Sequence, residues 1–412
     1  MKIGINASFA RKPSNGTGQV TINFLKELAK QVSEGSDPSR PKQPKGIGSL
    51  EFVLYLEEDF SKDFRLPKNF TKNIFLPLWK RDDLIRKIWW EKYLLPKKVK
   101  EDGCDVLFSL YQSATILHQV GIRSLRRDRI PTDSIKHIML VHDIIPKLFP
   151  EYQNNFRKKY YWSQIEKAIK SADKIIANSK RTEKDLIQHL DIYPAKITVS
   201  YLDADEIYKK DISEKQRSKI LKKYALKPGY IYNGGGLEVR KNAEGVIRAY
   251  KKLLESNKTL HFMKEVPQLA ISGKLMPQLA PLIVDIEKLV KELNISQHVK
   301  ILDFVPQEDL PAIYAAAGMF IYPSKYEGFG LPVLEAMNQG TPVITAKTSS
   351  LPEVGGDSVL YCDPDDINDM AMVMRNILIN KDLHETLSRR GKERAEQFSW
   401  KKFTQKFLNI LD

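Results

Sequence analysis

The stretch FIYPSKYEGFGLPVLEAM, residues 320–337, joins an apolar run, a glycine-bearing turn and a helix-forming segment. The apolar run predicts a buried strand that ends at Ser324. Gly328 and Gly330 shape the turn, and Pro332 suits the first turn of a helix, where its missing N–H costs no hydrogen bond. A strand, a tight turn and a helix in this order build parallel α/β sheets, so the stretch predicts that fold class.

The turn is flanked by two glutamates, Glu327 before the predicted helix and Glu335 about one turn inside it. Carboxylates near a helix start can stabilise the helix dipole, and this role alone would explain Glu335. It leaves the glycine-rich turn unexplained. Free N–H groups at the helix start make an anion site, and the glutamates are then expected to accept hydrogen bonds from sugar or ribose hydroxyls beside a phosphate.

The same alternation of apolar runs and helical segments extends along the whole chain. Strands are predicted at residues 2–6, 50–56, 104–110, 136–144, 173–179 and 195–202, then within 226–236 and at 268–273, 299–305, 318–324, 341–346 and 358–363. Strands that alternate with helices form parallel, doubly wound sheets. Because the pattern restarts midway and 412 residues exceed one compact core, we predict two domains.

The predicted first domain covers residues 1–210 and the second covers residues 211–395. A terminal helix at 396–412 can pack back on the first domain. Residues 34–49 are dense in Pro, Gly, Ser and Lys and predict a mobile loop.

The composition, with 42% hydrophobic and 28% charged residues, is typical of a globular protein. Cys104 and Cys362 cannot form a disulfide framework and suit a reducing compartment. The sequence has neither a signal-peptide pattern at its start nor an apolar run long enough to span a bilayer, so we expect a cytoplasmic protein.

The net charge of +15 attracts polyanions such as nucleic acid, anionic lipid or phosphorylated substrates. A basic nucleic-acid-binding protein is therefore an alternative class. However, the sequence has no zinc-finger spacing, RNP-like string or helix-turn-helix signature, and we expect no specific nucleic acid partner.

A second glycine-rich stretch, YNGGGLEVRKN, covers residues 232–242. Three glycines, including Gly235, end a predicted strand, and Arg240 and Lys241 precede a helix that Asn242 could cap. Glycines let a backbone approach a ligand closely, and an Arg-Lys pair can clamp a diphosphate. A flexible loop with a solvated basic pair is the alternative, because glycine-rich patterns are weak signals.

The spacing of Glu327 and Glu335 is the E-x7-E spacing of retaining nucleotide-sugar glycosyltransferases. The longer string at 320–366 resembles family 4 of these enzymes. They have the GT-B fold, in which two Rossmann-like domains face a cleft. The resemblance extends to YNGGGLEVRKN and to three further stretches, FVPQEDLPAIYAAA at 304–317, VHDIIPKLFPE at 141–151 and IIANSKRTEKDL at 175–186.

The resemblance implies roles for the glutamates and the basic pair. Arg240 and Lys241 would neutralise the diphosphate of a nucleotide-diphosphate sugar. Glu327 would hold the transferred sugar, and Glu335 would accept hydrogen bonds from the ribose hydroxyls. This sequence departs from the family pattern at Gly236, a position where many relatives carry an arginine.

The resemblance also implies backbone contacts and a histidine at the donor. The N–H groups of Phe329, Gly330 and Leu331 would hold the sugar and the distal phosphate. Gly16 and Gly18 would face the phosphates from the first domain. His142 would lie beside the donor sugar, although a lone histidine can equally be a satisfied buried residue. The stretch YLDADEIY at 201–208 replaces a turn usual in the family, so no contacts are transferred there.

The expected reaction is a retaining hexosyl transfer that needs no metal and no cofactor, since no acidic or His/Cys cluster is evident in the sequence. Two glutamates also suggest glycoside hydrolysis, but the resemblance places Glu335 at the ribose. HDIIPKLFPE resembles mannosyltransferases and favours GDP-mannose. A sugar phosphorylase or a nucleotide-sugar epimerase of the same fold is the alternative.

The first domain is expected to bind a glycan or lipid-linked acceptor. The stretch at 78–100 mixes Trp79, Trp89, Trp90 and Tyr93 with eight basic residues, and IRSLRRDR at 122–129 adds a second basic cluster. This composition is typical of an interfacial helix beside anionic lipid at the inner face of a membrane. The aromatic residues can instead face the core while the lysines are solvated.

Overall fold

The structure is a computed structural model that describes residues 1–35, 49–60, 64–77, 82–117 and 135–411. The predicted loop at 34–49 lies outside the described residues from 36 to 48, and so do Trp79 and the basic cluster at 122–129.

The chain divides into two compact units. The first comprises Met1–Tyr201 with Trp400–Asp412, and the second comprises Leu202–Ser399. Each unit contains one sheet whose strands are all parallel, as the alternation of strands and helices predicts. The predicted α/β fold class with two doubly wound sheets is confirmed.

The described strands of the first unit form a seven-stranded sheet in the order β3-β2-β1-β4-β5-β6-β7. Their bounds are β1 Lys2–Asn6, β2 Glu51–Leu56, β3 Phe70–Ile74, β4 Val106–Ser109, β5 Lys136–Val141, β6 Lys174–Ala177 and β7 Ile197–Val199. The central strands are fully buried because helices cover the sheet, which is why they read as continuous apolar runs.

The first unit contains these helices: α1 Gly16–Gly35, α2 Asp83–Trp89, α3 Leu95–Glu101, α4 Ile145–Leu148, α5 Phe156–Ser171 and α6 Lys180–Leu190. A π-helical turn, Trp90–Leu94, connects α2 to α3. Asp82 begins α2 as its cap, accepting hydrogen bonds from the N–H groups of Leu84 and Ile85 at 2.9 and 3.0 Å.

The described strands of the second unit form a six-stranded sheet in the order β10-β9-β8-β11-β12-β13. Their bounds are β8 Ile231–Asn233, β9 Leu269–Ile271, β10 Val299–Ile301, β11 Met319–Tyr322, β12 Val343–Ala346 and β13 Leu360–Cys362. The helices of this unit are α7 Glu214–Tyr224, α8 Ala243–Leu260, α9 Ile286–Glu292, α10 Leu310–Ala316, α11 Leu331–Asn338, α12 Leu351–Gly355, α13 Ile367–Ile379 and α14 Lys381–Ala395.

The last helix, α15 Trp400–Leu411, belongs to the first unit. Phe403 and Phe407 meet the ring of Phe24 edge to face, with ring centroids 5.8 and 5.3 Å apart. Phe407 also stacks on Phe108 at 4.3 Å. The chain therefore returns to the first sheet after completing the second.

The division between the units falls after Tyr201, a few residues before the predicted position at 210. The reason is a set of contacts that hold residues 202–210 to α11. The Gln339 side chain donates hydrogen bonds to the carbonyls of Tyr208 and Lys210 at 2.5 and 3.1 Å.

Strand β3 was not predicted from the sequence. This edge strand has the sequence FTKNI, and only Phe70 is buried while most of its other side chains are exposed. A mostly polar edge strand lacks the apolar pattern by which strands are recognised.

Candidate active site

In the second sheet the strand order reverses between β8 and β11. Ligands of open α/β sheets bind at the carboxyl ends of strands at such a switch point. β8 runs directly into Gly234–Gly236, and β11 runs directly into the segment that carries Glu327. The two stretches singled out in the sequence therefore meet at one place in the fold.

Hydrogen bonds join the two strands and the loops that follow them. The Asn233 side chain, at the end of β8, donates to the carbonyl of Ile321 in β11 at 2.8 Å. The carbonyl of Arg240 accepts from the Lys325 N–H at 2.7 Å and from the Ser324 hydroxyl at 3.2 Å. These bonds fix Arg240 against the turn that precedes α11.

The carboxylate of Glu327 is held through one of its oxygens. Its Oε1 accepts hydrogen bonds from Arg240 Nη1 at 2.8 Å, Tyr322 Oη at 2.6 Å and Ser324 Oγ at 2.9 Å. Among the described residues, no hydrogen bond is made to Oε2. One oxygen thus fixes the side chain while the other can accept a hydrogen bond from a ligand hydroxyl.

The backbone of Glu327 is held as firmly as its side chain. Its N–H donates to Ser349 Oγ at 2.9 Å, and its carbonyl accepts from Ser350 Oγ at 2.8 Å. A side chain fixed by packing and by supporting hydrogen bonds is preorganised for its task. Glu327 has this property.

Arg240 lies between carboxylates. Its guanidinium donates to Glu238 through Nε at 2.9 Å and to Glu327 and the carbonyl of Tyr326 through Nη1, both at 2.8 Å. Its side chain is only 11% exposed. In this structure Arg240 positions Glu327 and compensates its charge, so a direct role at a diphosphate stays a prediction.

Lys241 is directed at the glycine loop. Its ammonium donates to the carbonyl of Gly235 and lies beside Gly236. Both glycines have positive φ, 94° and 112°, a conformation that other residues rarely adopt. A Cβ on Gly235 would also lie 3.0 Å from the Tyr322 ring. The loop therefore brings bare backbone and one ammonium group to the switch point.

Asn242 occupies the position before α8, but its side chain does not cap the helix. Instead it donates to the carbonyl of Pro364 at 2.6 Å. The prediction that Asn242 caps this helix is wrong, because the residue takes a left-handed conformation with φ of 62° and turns its side chain elsewhere.

The start of α11 has the expected form. Gly330 precedes the helix with φ of 113°, and Pro332 lies in its first turn. Among the described residues, no hydrogen bond uses the N–H groups of Gly330 and Leu331. The ring of Phe329 is buried and meets Phe398 edge to face. The two N–H groups match the predicted contacts to an anion, and ligand binding there stays a prediction.

Glu335 is buried among tyrosines and is only 5% exposed. Tyr314 Oη donates to its Oε2 at 3.1 Å, and the ring of Tyr208 lies edge to face against Tyr314. Burial raises the pKa of Glu335 to about 7, partly offset by the hydrogen bond from Tyr314. Its role at a ribose stays a prediction.

In the first unit, His142 follows β5 and is half-buried. Its Nε2 lies 3.0 Å from the carbonyl of Leu110, and its backbone N–H donates to the Gln112 side chain at 3.2 Å. A carbonyl only accepts, so Nε2 carries the ring proton and Nδ1 has a lone pair. Burial lowers the pKa of His142 to about 4, so the ring is a neutral hydrogen-bond acceptor near neutral pH.

Gly16 and Gly18 lie at the start of α1 and differ in their surroundings. A Cβ on Gly16 would have nothing within 4 Å, whereas one on Gly18 would lie 1.9 Å from the carbonyl oxygen of Lys12. The Gly18 N–H donates to Asn15 Oδ1 at 2.7 Å. Gly18 is thus required by the folding of its own loop, and contact with phosphates stays a prediction for both glycines.

Several side chains that hold Glu327 were not predicted from the sequence. Tyr322, Ser349 and Ser350 were not among the predicted site residues, although all three contact Glu327. The alternation of side chains along a strand places Tyr322 and Ser324 on one face, a signal that could have identified Tyr322. Ser349 and Ser350 come from a neighbouring loop, and only the fold brings them here.

Two general features of the described residues bear on the chemistry. No group of three or more His, Cys, Asp or Glu side chains in the described part of the chain lies close enough to hold a metal ion. Every helix in that part is too short or too polar to cross a lipid bilayer.

The sequence matches two protein families that divide the chain at the same place as the two units. Residues 14–202 match the family described as Glycosyltransferase Family 4, and residues 214–394 match Glycosyl transferases group 1.

Individual relatives agree with the family matches, and a solved structure shares the fold. O-antigen chain mannosyltransferase B of Escherichia coli is 34% identical over 270 residues, which cover 65% of this chain and 68% of the relative. The serotype-specific mannosyltransferase WbdA of Escherichia coli is 29% identical over 278 residues, 66% of this chain but only 33% of WbdA. The crystal structure of WaaG, a glycosyltransferase involved in lipopolysaccharide biosynthesis, matches with a TM-score of 0.69 and 16% identity and covers 100% of this chain and 99% of WaaG.

The family matches cover both units, the relative from Escherichia coli is similar over most of its length, and the two parallel sheets are those of a GT-B fold. This chain belongs to the GT-B glycosyltransferases related to family 4.

Proposed function

We propose that the protein transfers a hexosyl group from a nucleotide-diphosphate sugar to a glycan or lipid-linked acceptor, with retention of configuration and without a metal ion. The single observation that carries this proposal is the fixed carboxylate of Glu327 at the switch point of the second sheet. Its three hydrogen bonds on Oε1 leave Oε2 as an acceptor for a sugar hydroxyl.

The sugar is proposed to be mannose. Two relatives of this chain are mannosyltransferases by name, and HDIIPKLFPE at 142–151 resembles such enzymes. GDP-mannose is the donor that we favour.

The proposed reaction breaks the bond between the anomeric carbon and the distal phosphate oxygen. The acceptor hydroxyl oxygen forms its new bond on the same face of the sugar, and its proton passes to the departing phosphate oxygen. Lys241 and the N–H groups of Gly330 and Leu331 would stabilise the charge that develops on that phosphate. Glu327 would orient the sugar through its hydroxyls.

A donor screen tests the proposal. Melting curves would be recorded with UDP, GDP, ADP and dTDP and with their sugars, since a ligand that binds the folded state raises the melting temperature. We expect the largest shift with GDP-mannose. A shift with none of the nucleotides would contradict the proposal. A larger shift with a UDP-sugar would identify that sugar nucleotide as the donor instead of GDP-mannose.

Retention and metal independence are tested on the products. NMR of the linkage formed from an α-linked donor should show an α-linked product, whereas a β-linked product would exclude retention. Activity should be unchanged after treatment with EDTA, because positive side chains and a helix start take the place of a cation. A loss restored by added Mg²⁺ or Mn²⁺ would contradict that part of the proposal.

We also propose that an exposed aromatic patch on the first unit contacts anionic lipid that carries the acceptor. The patch comprises Trp89, Tyr93, Phe156 and Tyr160, which are 40–81% exposed, whereas Trp90 is buried. Lys92 Nζ joins the two helical segments by donating to Tyr160 Oη at 3.0 Å. Exposed aromatic rings beside basic side chains are typical of a membrane-interface surface.

Sedimentation with liposomes tests the patch. Vesicles with anionic lipid should recover more protein than neutral vesicles, and less at high salt. The double variant Trp89→Ala/Phe156→Ala should reduce recovery about tenfold or more, since each aromatic ring buries a large apolar area. A control, Tyr193→Ala, removes an aromatic ring that is 71% exposed elsewhere. Equal loss with the control, or equal recovery with neutral vesicles, would contradict the proposal.

A further inference from the structure

The first sheet has a switch point of its own, and a pocket lies there. Its strand order reverses between β1 and β4. The segments that follow these strands supply Phe9 and Thr17 after β1, and Tyr111 and Gln112 after β4, to a cavity of about 210 Å³. The pocket thus occupies the position in this sheet that Glu327 occupies in the other.

The charge inside this pocket is positive. Among the described residues that line it, the charged ones are Lys87 and Lys158, and none is acidic. Five aromatic side chains line it: Phe9, Tyr111, Tyr152, Tyr161 and Trp162. Thr17, Gln112 and Gln153 add polar groups, and the two amide side chains already hydrogen-bond within the protein.

Lys87 extends its ammonium group into a ring of aromatic side chains. Its Nζ lies 4.6, 5.0 and 5.2 Å from the ring centroids of Phe9, Tyr111 and Tyr161. The nearest carboxylate, that of Glu91, is 3.7 Å away, beyond hydrogen-bonding distance. Among the described residues, the ammonium donates no hydrogen bond, so its N–H groups can be used by a ligand in the pocket.

Glu91 holds two of the aromatic side chains of the pocket in place. It is fully buried, and its carboxylate accepts hydrogen bonds from Tyr111 Oη, Tyr161 Oη and the Ala114 N–H, all at 2.8 Å. Three of its roughly four acceptor sites are therefore used by the two tyrosines and the backbone, and none accepts a hydrogen bond from Lys87. The rings of Tyr111 and Tyr161 are therefore held in place before any ligand arrives, which lowers the entropy cost of binding.

Burial lowers the pKa of the Lys87 ammonium, although the nearby Glu91 opposes this effect. An anion bound beside the ammonium would favour its charged form. The aromatic walls provide flat apolar surfaces for the C–H face of a sugar ring. The volume is below that of pockets for drug-sized ligands, about 300–1,000 Å³, and suits a single monosaccharide unit.

We propose that this pocket binds an anionic sugar of the acceptor, a monosaccharide unit that carries a phosphate or a carboxylate, with Lys87 donating hydrogen bonds to the anionic group. The inference rests on the proposed function, because it names the acceptor class of that reaction. Gln112 connects the pocket to His142, since its side chain accepts from the His142 backbone N–H.

Calorimetric titration of the protein without donor tests the inference. The probes are mannose 6-phosphate, glucuronate and mannose, with inorganic phosphate as a fourth ligand. We expect mannose 6-phosphate or glucuronate to bind at least about tenfold more tightly than mannose, because hydrogen bonds to charged groups exceed neutral ones. The stronger of the two identifies the anionic group. Equal binding of all three sugars, or binding of none, would overturn the inference.

Lys87→Met should weaken binding of the preferred anionic sugar about 10- to 100-fold and leave mannose almost unchanged. Lys288→Met is the matched control. Lys288 also pairs with a glutamate four residues later, at 3.8 Å, but its side chain is 71% exposed on the second unit and lines no part of this pocket. An equal loss in both variants, or no loss with Lys87→Met, would overturn the inference.

Lys87→Met can also disturb the buried Glu91, so a second measurement uses the unaltered protein. Acetylation of lysines is followed by mass spectrometry with and without the preferred sugar. Lys87 should be protected at least about fivefold while Lys288 is unaffected, since only the former would contact the bound anion. Absence of selective protection would overturn the inference.

The outcomes separate this inference from the proposed function. Binding of an anionic sugar through Lys87, with no melting shift for any nucleotide-sugar, would support the pocket and contradict the glycosyltransferase proposal. A rise in melting temperature with GDP-mannose, without preference for an anionic sugar, would support the glycosyltransferase proposal and contradict the inference about the pocket.

Discussion

The two switch points share a backbone plan and differ in their charged groups. In the second sheet a carboxylate, Glu327, follows β11 beside the loop after β8 and is compensated by Arg240. In the first sheet an ammonium, that of Lys87, lies near the ends of β1 and β4 with the buried Glu91 nearby. The parallel sheet determines where a ligand can bind, and the side chains at the strand ends determine which ligand it is.

The two regions also differ in how the central charge is held. Three hydrogen bonds fix one oxygen of Glu327, whereas the hydrogen bonds around Lys87 fix its aromatic neighbours instead. A fixed group suits a step in which the position of a reacting sugar decides the rate. An ammonium without a fixed acceptor suits recognition of an anion.

The largest expected effect is that of Glu327→Ala. We expect turnover to fall about 10²- to 10³-fold, comparable to the loss of one preorganised group in an active site, while nucleotide-sugar affinity changes less. Steady-state kinetics with the donor identified in the melting screen would measure it. Glu238→Ala, which removes the other carboxylate paired with Arg240, is the matched control and should cost less than tenfold. Comparable losses of turnover in both variants would contradict the specific role of Glu327 at the transferred sugar.

The next effect concerns the first unit and its glycines. Gly18→Ala should lower the free energy of unfolding by about 3 kcal/mol, because the new Cβ would lie 1.9 Å from the Lys12 carbonyl oxygen and the loop must move. Gly16→Ala, with nothing within 4 Å of its Cβ, should change stability by less than about 1 kcal/mol. Urea unfolding measures both. Equal effects would show that the loop before α1 is not packed as described.

Arg240 provides a test of the pairing at the second switch point. Arg240→Ala and Glu327→Gln, with their double variant, form a mutant cycle, and the coupling free energy in kcat should be about 1–3 kcal/mol because the two groups are in direct contact. Independent losses that simply add would mean that Arg240 does not act through Glu327. In that case Arg240 would be expected to act at the diphosphate instead.

The last expected effect is a pH dependence of stability due to Glu335. Its pKa of about 7 in the folded state lies above the ordinary value of 4.5, so the folded state binds more protons between these values. Stability is therefore lost as the pH rises through this window, by about 3 kcal/mol at most. Glu335→Gln does not titrate, so the unaltered protein should lose stability relative to this variant between pH 5 and pH 8.

The measurement is urea unfolding at both pH values, with the exposed Glu255→Gln as control. A difference between the unaltered protein and Glu335→Gln that stays constant with pH would contradict the raised pKa.

Much of the fold could be predicted because its strands are short apolar runs between helices. The predicted strand at 318–324 became β11 Met319–Tyr322, whereas the polar edge strand β3 gave no such signal. The predicted residues Glu327 and Arg240 do meet. Their ion pair could not be predicted, since it joins residues far apart in sequence through the adjacency of β8 and β11.

The helical stretch around Trp89 shows a second limit of prediction from the sequence. Its composition fits both a membrane surface and a core, and the sequence leaves both open. The structure buries Trp90 and exposes Trp89 and Tyr93, because successive residues of a helix point in different directions. The direction of Lys87 toward Phe9 and Tyr161 depends on contacts with other elements and has no signature in the sequence.

Hydrogen–deuterium exchange with and without GDP-mannose would show where on the chain the donor binds. If the second switch point binds the donor, peptides that cover residues 234–241 and 322–335 should become protected, while those around Lys87 and Tyr111 change little. Protection confined to the first unit, or none at donor concentrations that saturate activity, would contradict the account.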